Sequence, residues 1–150
     1  MKLDDLDIEI MKILQVDGRK SFREISDILD KPESTIRARY NQLIKNNVLR
    51  IVAIPDPESV GLNIMAIIGL KVKLKHLQEA AEKVAQFSEV RFIAFSSGIH
   101  DLILEVYVES NDHLVEFLAE KLSKIDGITE SNTSIELKLY KDSYDWLAHR

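Results

Sequence analysis

Three short helical patterns follow one another within the first fifty residues, and they restrict this part of the chain to a small helical domain. In the first, apolar residues recur on one helix face over residues 6–14, with Asp4 as the predicted N-cap. A second pattern begins at Ser21, where Glu24 follows at the spacing of a capping box. The dipeptide DG at residues 17–18 separates the two patterns, so we expect two helices joined by a turn.

The third pattern begins after Pro32, which disfavours a helical residue before it and suits the first turn of the next helix. We expect this third helix to run from Glu33 to about Lys45. A second and third helix joined by so short a turn are typical of a helix-turn-helix. The predicted buried residues of these two helices are Phe22, Ile25, Ile28, Leu29, Ile36, Tyr40, Leu43 and Ile44.

Positive charge is concentrated around the third helix. Residues 31–50 hold five basic residues and one acidic residue, in a protein whose formal net charge is -5. Affinity for nucleic acids comes from Lys and Arg placed near phosphates, so a local basic surface matters more than the charge of the whole chain. The distribution favours DNA binding. The alternative is a three-helix bundle whose basic residues only solvate one face.

The exposed N-terminal half of the third helix combines arginines with small polar side chains. Arg37 and Arg39 are the predicted base or phosphate contacts, because a guanidinium group matches guanine and phosphate with paired hydrogen bonds. The predicted supporting residues are Ser34, Thr35 and Asn41, with Lys31 and Lys45 positioned against the DNA backbone.

Beyond residue 50 the pattern changes from helical spacing to alternation. The β-branched stretch RIVAI at residues 50–54 predicts a short strand, and the prolines at 55 and 57 with Gly61 predict a hinge. We therefore expect a winged helix-turn-helix domain over residues 1–50, a linker over 51–62 and a second domain over 63–150. The predicted elements of the second domain are strands at 64–74, 90–95, 102–108 and 128–140, and helices at 77–87 and from a cap at Asn111 or Asp112 to about 125.

This order, βαββαβ, predicts an α+β protein with a ferredoxin-like second domain, in which two helices cover one face of an antiparallel sheet. In the third strand Leu102, Leu104, Val106 and Val108 alternate, while Ile103 and Tyr107 add apolar side chains to the opposite face. Burial on both faces predicts a dimer. Scattered apolar residues on an exposed face are the alternative.

The composition argues against several other classes. Without cysteine there are no disulfides or thiolate metal sites, and the four histidines show no metal-ligand spacing, so we predict no metal site and no cofactor. Ser97, His100 and Asp101 lack the surroundings of a nucleophile elbow, so we predict no catalytic residues and no enzyme. The acidic start and the short apolar runs predict a cytoplasmic protein without a membrane contact.

Several motifs resemble those of the Lrp/AsnC family of feast/famine transcription regulators. They are LD at residues 3–4 with Asp7, ILQ at 13–15, DGR at 17–19, STIRAR at 34–39, NNVL at 46–49, the segment 55–61, SGIHD at 97–101 and IDGI at 125–128 followed by Ser131 and Thr133. The chain departs from the family's usual pattern at Asp30, Pro32, Asn47, His100 and Ser131.

The resemblance implies a sequence-specific regulator that binds a pseudo-palindromic operator in double-stranded DNA and is modulated by an amino acid or related small molecule. It also implies dimers that assemble further into an octamer. The effector residues carried over from the family are Gly98, His100, Asp101, Ser131 and Thr133. A glycine-containing hairpin whose aspartate only caps backbone groups is the alternative for this loop.

Two other functions remain open from the sequence. An amino-acid-sensing interaction module would assemble with its ligand and have no operator of its own. A small enzyme on the ferredoxin-like domain would turn over an amino-acid-like substrate, but no convincing acid–base pair supports it.

Overall fold

A computed structural model describes residues 2–147, which form two compact units. The first unit contains residues 2–54 and 141–147, and the second contains residues 55–140. The sequence had assigned residues 141–150 to the second domain. In the structure the described residues 141–147 make their contacts with the helical unit.

Three helices form the first unit, α1 (Asp5–Val16), α2 (Phe22–Leu29) and α3 (Glu33–Lys45). Both predicted N-caps are confirmed. The Asp4 side chain accepts a hydrogen bond from the Asp7 backbone N–H at 3.0 Å, and that of Ser21 accepts one from Glu24 at 3.2 Å. In each case the fourth residue of the motif bonds back to the cap, which satisfies two backbone donors reciprocally.

The core of this unit lies where the three helices meet. Ile10, Ile25, Ile36 and Leu43 are fully buried there, and Tyr40 packs against them. The prediction for Ile28 is wrong, because its side chain is 55% exposed. Helix α2 is only two turns long, and its core-facing side is formed by Ile25 with Phe22 and Leu29. Ile28 lies just beyond the edge of this narrow face and therefore remains in solvent.

Two residues with positive φ shape the connections around α3. Asp30 ends α2 with φ of 50°, and Asn47 follows α3 with φ of 55°. Both adopt the left-handed conformation that aspartate and asparagine tolerate better than other side chains. The two turns that flank α3 are therefore made without glycine.

The strand predicted over residues 50–54 is not formed. A strand needs a neighbour to satisfy its backbone groups, and no backbone hydrogen bond joins this segment to another described part of the chain. A 3₁₀ turn at Glu58–Val60 follows, closed by Gly61 with φ of 88°.

The second unit has the predicted βαββαβ order. Its strands are β1 (Ile64–Val72), β2 (Val90–Phe95), β3 (Leu102–Val108) and β4 (Ile128–Ile135), and its helices are α4 (Leu77–Val84) and α5 (Asn111–Glu116). A short π-helical turn, Phe117–Lys121, and a 3₁₀ turn, Leu122–Lys124, extend α5. All strand pairs are antiparallel, in the order β2-β3-β1-β4.

Several element ends differ from the prediction. Strand β1 ends at Val72 instead of residue 74, and α4 ends at Val84 instead of residue 87. The cap of α5 is Ser110, whose side chain accepts from the His113 N–H at 3.2 Å, and not Asn111 or Asp112. The last strand ends at Ile135 rather than at residue 140. Serine and asparagine cap helices about equally well, so composition alone does not choose between neighbours.

One face of the sheet and the two helices enclose the core of this unit. The alternating residues of β3 from Leu102 to Val108 are fully buried against α4 and the α5 region. The opposite face, which we call the open face, carries Ile103 and Tyr107, both half-buried. None of the described helices is long and apolar enough to cross a membrane.

Candidate nucleic-acid interface and ligand loop

Helix α3 presents its predicted polar residues to solvent along one side. The side chains of Ser34, Arg37 and Asn41 are exposed, and Thr35 is half-buried. Lys31 and Lys45 are exposed at the two ends of the helix. The helix thus offers hydroxyl, amide and guanidinium groups between two flanking positive charges.

Arg37 is held in place by two neighbours. Its guanidinium donates to Glu33, one turn earlier, at 2.7 Å and lies 4.7 Å from the centre of the Phe22 ring. Phe22 in turn contacts the ring of Tyr40 edge-on at 5.0 Å. The side chain remains exposed, so these contacts orient the guanidinium without burying it.

Arg39 has a different environment, because it faces α1. Its guanidinium donates to Asp4 at 2.7 Å and lies 3.3 Å from the nearest carboxylate oxygen of Asp7, which is completely buried. The hydrogen bond that Arg39 donates to the Asp4 carboxylate raises the pKa of Arg39, and the hydrogen bond that the Asp7 backbone N–H donates to Asp4 lowers the pKa of Asp4. The sequence analysis placed Asp7 only in a family motif and missed its pairing with Arg39.

The loop at residues 97–101 is fastened to β1 through Asp101. The backbone N–H of Val72 donates to the Asp101 carboxylate at 2.8 Å, and the Asp101 N–H donates to the carbonyl of Leu70 at 2.8 Å. The carboxylate therefore bonds across to a neighbouring strand and leaves lone pairs for a further partner. Gly98, at the exposed tip, has φ of 146°.

His100 lies over Gly69 in the middle of β1. A Cβ atom on Gly69 would overlap the imidazole ring, so only glycine leaves room for it there. The Nδ1 atom of His100 is buried and has no hydrogen-bond partner among the described residues. Gly69 was not identified from the sequence. A glycine inside a strand indicates that another group lies close to the backbone, but the sequence does not show that this group is His100.

The five predicted effector residues do not share one face of the sheet. Ser131 pairs with Leu70 and therefore lies on the helix-covered side. Thr133 pairs with Ile68 on that same side. The imidazole of His100 lies on the open face, where the β4 residue opposite Gly69 is Asn132.

Two known domain families match the chain. The AsnC-type helix-turn-helix domain matches residues 3–44, and the Lrp/AsnC ligand binding domain matches residues 65–146. The chain belongs to the Lrp/AsnC family. It is a transcriptional regulator with a DNA-binding and a ligand-binding domain, which confirms the family and the fold class predicted from its motifs.

Relatives of this Lrp/AsnC-family regulator match over nearly their whole length. An uncharacterized HTH-type transcriptional regulator of Pyrococcus furiosus is 41% identical over 143 residues, which cover 95% of this chain and 97% of the relative. The HTH-type transcriptional regulator FL11 of the same organism is 34% identical over 142 residues, with 94% and 93% covered. A crystal structure of a Neisseria meningitidis transcriptional regulator in complex with L-Met is 26% identical, with a TM-score of 0.89 over 96% of each chain.

Replacing Gly69 by Ala in this Lrp/AsnC-family regulator should displace the ring of His100 and lower the free energy of unfolding by about 1–3 kcal/mol, as overpacking does. Adding His100→Ala should restore most of that loss, because the new methyl group then occupies the vacated space. Urea unfolding of the two variants and of His100→Ala alone measures this. Equal stability of Gly69→Ala and the double variant would contradict the assigned contact.

Proposed function

We propose that this chain is a dimer-based, sequence-specific regulator whose α3 reads a pseudo-palindromic operator in double-stranded DNA. The observation that carries the proposal is the exposed side of α3, with Ser34, Arg37 and Asn41 between Lys31 and Lys45. Hydroxyl, amide and guanidinium groups distinguish base edges in the major groove, and flanking lysines neutralise phosphates. A two-fold dimer would match the symmetry of the operator.

Within this surface Arg37 is the leading contact, and Arg39 has a second role. Arg37 is exposed and oriented by Glu33 and Phe22. Arg39 is two-thirds buried, with its side chain 34% exposed, and pairs with Asp4 and Asp7. We assign Arg39 to holding α3 against α1, with contact to DNA only through the part that stays accessible.

Replacing Arg37 by Ala should weaken binding to a selected genomic fragment about tenfold and reduce its salt dependence, because one cation leaves the interface. Lys12→Ala removes the same charge from α1 and should leave the affinity nearly unchanged. Titrations at several salt concentrations measure both. Unaltered binding of Arg37→Ala would remove α3 from the interface, and no selected fragment at all would favour the sensor module without an operator.

The open face of the sheet is the proposed contact between two copies. It is apolar over three strands, where Ile67 is 49% exposed and Phe92 46% exposed beside the half-buried Ile103 and Tyr107. Burial and the neighbouring Glu105 raise the pKa of Tyr107 to about 12, so its hydroxyl stays neutral and donates to Glu105. Glu105 in the middle of this face is paired with Arg91, and the apolar residues around that ion pair are typical of a surface for self-association.

Replacing Ile67 by Asp should weaken the dimer about ten- to hundredfold, because a carboxylate would lose its hydration inside the contact. Val115→Asp is the matched control, since Val115 is an exposed apolar residue on α5, which covers the other face. Molar mass is measured over a dilution series for both variants, and we expect only Ile67→Asp to dissociate at higher protein concentrations than the unchanged protein. Equal masses for Ile67→Asp and the unchanged protein would place the contact elsewhere. Any octamer of four dimers should dissociate with it.

The proposed effector is an amino acid or a related small molecule. Support comes from the related Neisseria regulator solved with L-Met and from the Asp101 carboxylate, which has lone pairs left for an ammonium group. His100 and Asp101 are both turned to β1, so we infer no catalytic role for them with Ser97. Thermal shifts with each standard amino acid test the assignment, and no shift with any of them would overturn it.

A further inference from the structure

We propose that residues 141–147, which we call the strap, are a working part of the DNA-binding unit. In this proposal the strap docks on α1, supports α3 through it, and gives the ligand-binding unit a second connection to the DNA-binding unit. The inference rests on the proposed function for its DNA-binding consequence. The docking itself does not depend on that function.

One side chain of α1 holds the strap by two hydrogen bonds. The amide nitrogen of Gln15 donates to the carbonyl of Tyr144, and its amide oxygen accepts from the backbone N–H of Leu147 at 3.3 Å. Gln15 therefore binds the strap backbone as a neighbouring strand would, with one donor and one acceptor. A two-point contact of this kind specifies the position of a segment as well as its presence.

Apolar contacts accompany this polar clamp. Leu147 packs against the core cluster of the three helices, although it is more than a hundred residues away in sequence. Tyr144 and Trp146 contact each other edge-on at 6.0 Å and, with α1 and residues 48–54, line an apolar groove. Leu147 thus covers apolar surface of the three helices, whereas Trp146 forms one wall of the groove and stays 75% exposed.

Helix α1 relays the docking to α3. Leu14, next to Gln15, is 5% exposed and shares the core with Ile36 and Leu43 of α3. At the other end of α1, Asp4 and Asp7 hold Arg39 of α3. The position of α1 is therefore set by the strap on one side and sets that of α3 on the other.

The chain passes between the two units twice. The first passage follows residue 54, and the second follows residue 140 and leads directly into the strap. Residues 136–140 connect the end of β4 to the strap, and Leu137 and Tyr140 in this connection are 94% and 86% exposed. The strap is therefore joined to the end of β4 by a short, exposed connection.

Trp146 makes the docking measurable, because it is the only tryptophan in the sequence. Gln15→Glu keeps the size of the side chain but replaces its donor by a carboxylate that repels the Tyr144 carbonyl. We expect lower fluorescence anisotropy of Trp146 and about fivefold faster chymotryptic cleavage after it, the equivalent of one lost hydrogen bond. Leu147→Ala should act in the same direction by removing the apolar contact.

Lys12→Gln is the matched control, since it changes the charge of α1 by the same amount away from the strap. It should leave the anisotropy and the cleavage rate unchanged. Circular dichroism identifies any variant that has lost its helices. If Leu147→Ala unfolds, Gln15→Glu still tests the docking, because Gln15 lies on the surface of α1. Unchanged anisotropy and cleavage in a folded Gln15→Glu variant would overturn the docking.

The second arm measures DNA binding on a genomic fragment selected with the unchanged protein. We expect Gln15→Glu to bind it about fivefold more weakly, and the fragment to raise the anisotropy of Trp146 in the unchanged protein, as linkage requires. If Gln15→Glu releases the strap but binds the fragment as tightly as the unchanged protein, the strap does not support DNA binding. The predicted loss of DNA affinity in Arg37→Ala would not be affected by that result. Failure of the unchanged protein to select any fragment would overturn the proposed function, while the anisotropy arm would still decide the docking.

Discussion

Replacing Asp7 by Ala is expected to lower the free energy of unfolding of the first unit by about 3 kcal/mol, the larger part of which comes from its buried pairing with Arg39. Asp7 is completely buried, accepts the backbone N–H of Asp4 at 3.1 Å and lies 3.3 Å from the guanidinium of Arg39. Its removal opens the capping box of α1. It also leaves the partly buried Arg39 with only Asp4, which is half exposed.

Asp5→Ala is the control for this prediction. Asp5 lies in the same first turn of α1 and carries the same charge, but it is exposed. Its loss removes only a favourable contact with the helix dipole, worth about 0.5 kcal/mol. Urea unfolding followed by the fluorescence of Trp146, which lies in the first unit, measures both variants. Similar losses for Asp5→Ala and Asp7→Ala would show that the Asp7–Arg39 contact contributes little.

Urea unfolding also distinguishes the roles of the two arginines of α3. If Arg39 holds α3 against α1, Arg39→Ala should lose stability together with DNA affinity, whereas Arg37→Ala should lose affinity alone. Arg37 is exposed and pairs only within α3 and with Phe22 of α2, so its removal leaves the contact between α3 and α1 intact. A stability loss in Arg37→Ala equal to that in Arg39→Ala would contradict this division of roles.

The helices were predictable from sequence because their signals are local. The two capping boxes each involve residues three positions apart, and the end of α2 shortly before Pro32 depends on adjacent residues. The starts of β2 and β3 were predicted correctly for a similar reason, since alternation within one strand already identifies its buried face. Local patterns carry this information without reference to the rest of the chain.

The features that sequence reasoning missed are contacts between distant residues. Arg39 was predicted to contact DNA because its exposure was inferred from α3 alone, whereas Asp7, 32 positions earlier, engages it. The segment 50–54 has the residues of a strand, but strand formation also requires a partner, which the described chain does not supply. His100 was placed with Ser131 and Thr133 from motif order, which does not specify the face of a sheet.

Acidification from about pH 4.5 to about pH 2 is expected to destabilise the second unit by about 3 kcal/mol through Glu89 alone. This residue precedes β2 and is 7% exposed. Burial by itself would raise its pKa, but hydrogen bonds from Lys121, from its own backbone N–H and from His113 outweigh that effect and lower the pKa of Glu89 to about 2. Its carboxylate thus ties the start of β2 to the α5 region.

The direction of the pH effect follows from the lowered pKa. In the unfolded chain Glu89 binds a proton near pH 4.5, whereas in the folded protein it does so only near pH 2. Its contribution is therefore complete above about pH 4.5 and is lost progressively as the pH falls toward 2. Hydrogen exchange of β2 and β3 peptides, measured in the full chain over this range, reports on the second unit without interference from the first.

Glu89→Gln should remove this pH dependence and lower the stability at neutral pH, because a neutral amide cannot pair with Lys121 as a carboxylate does. Glu120→Gln is the matched control, because Glu120 lies on the helical segment that carries Lys121, the partner of Glu89. Glu120 pairs with Lys124 at 2.6 Å, but both side chains are more than 60% exposed. Exposed pairs contribute little, so we expect this variant to retain the acid transition of the unchanged protein. Retention of the same transition by Glu89→Gln would show that other carboxylates cause it and that the buried pair does not hold β2 to the helix.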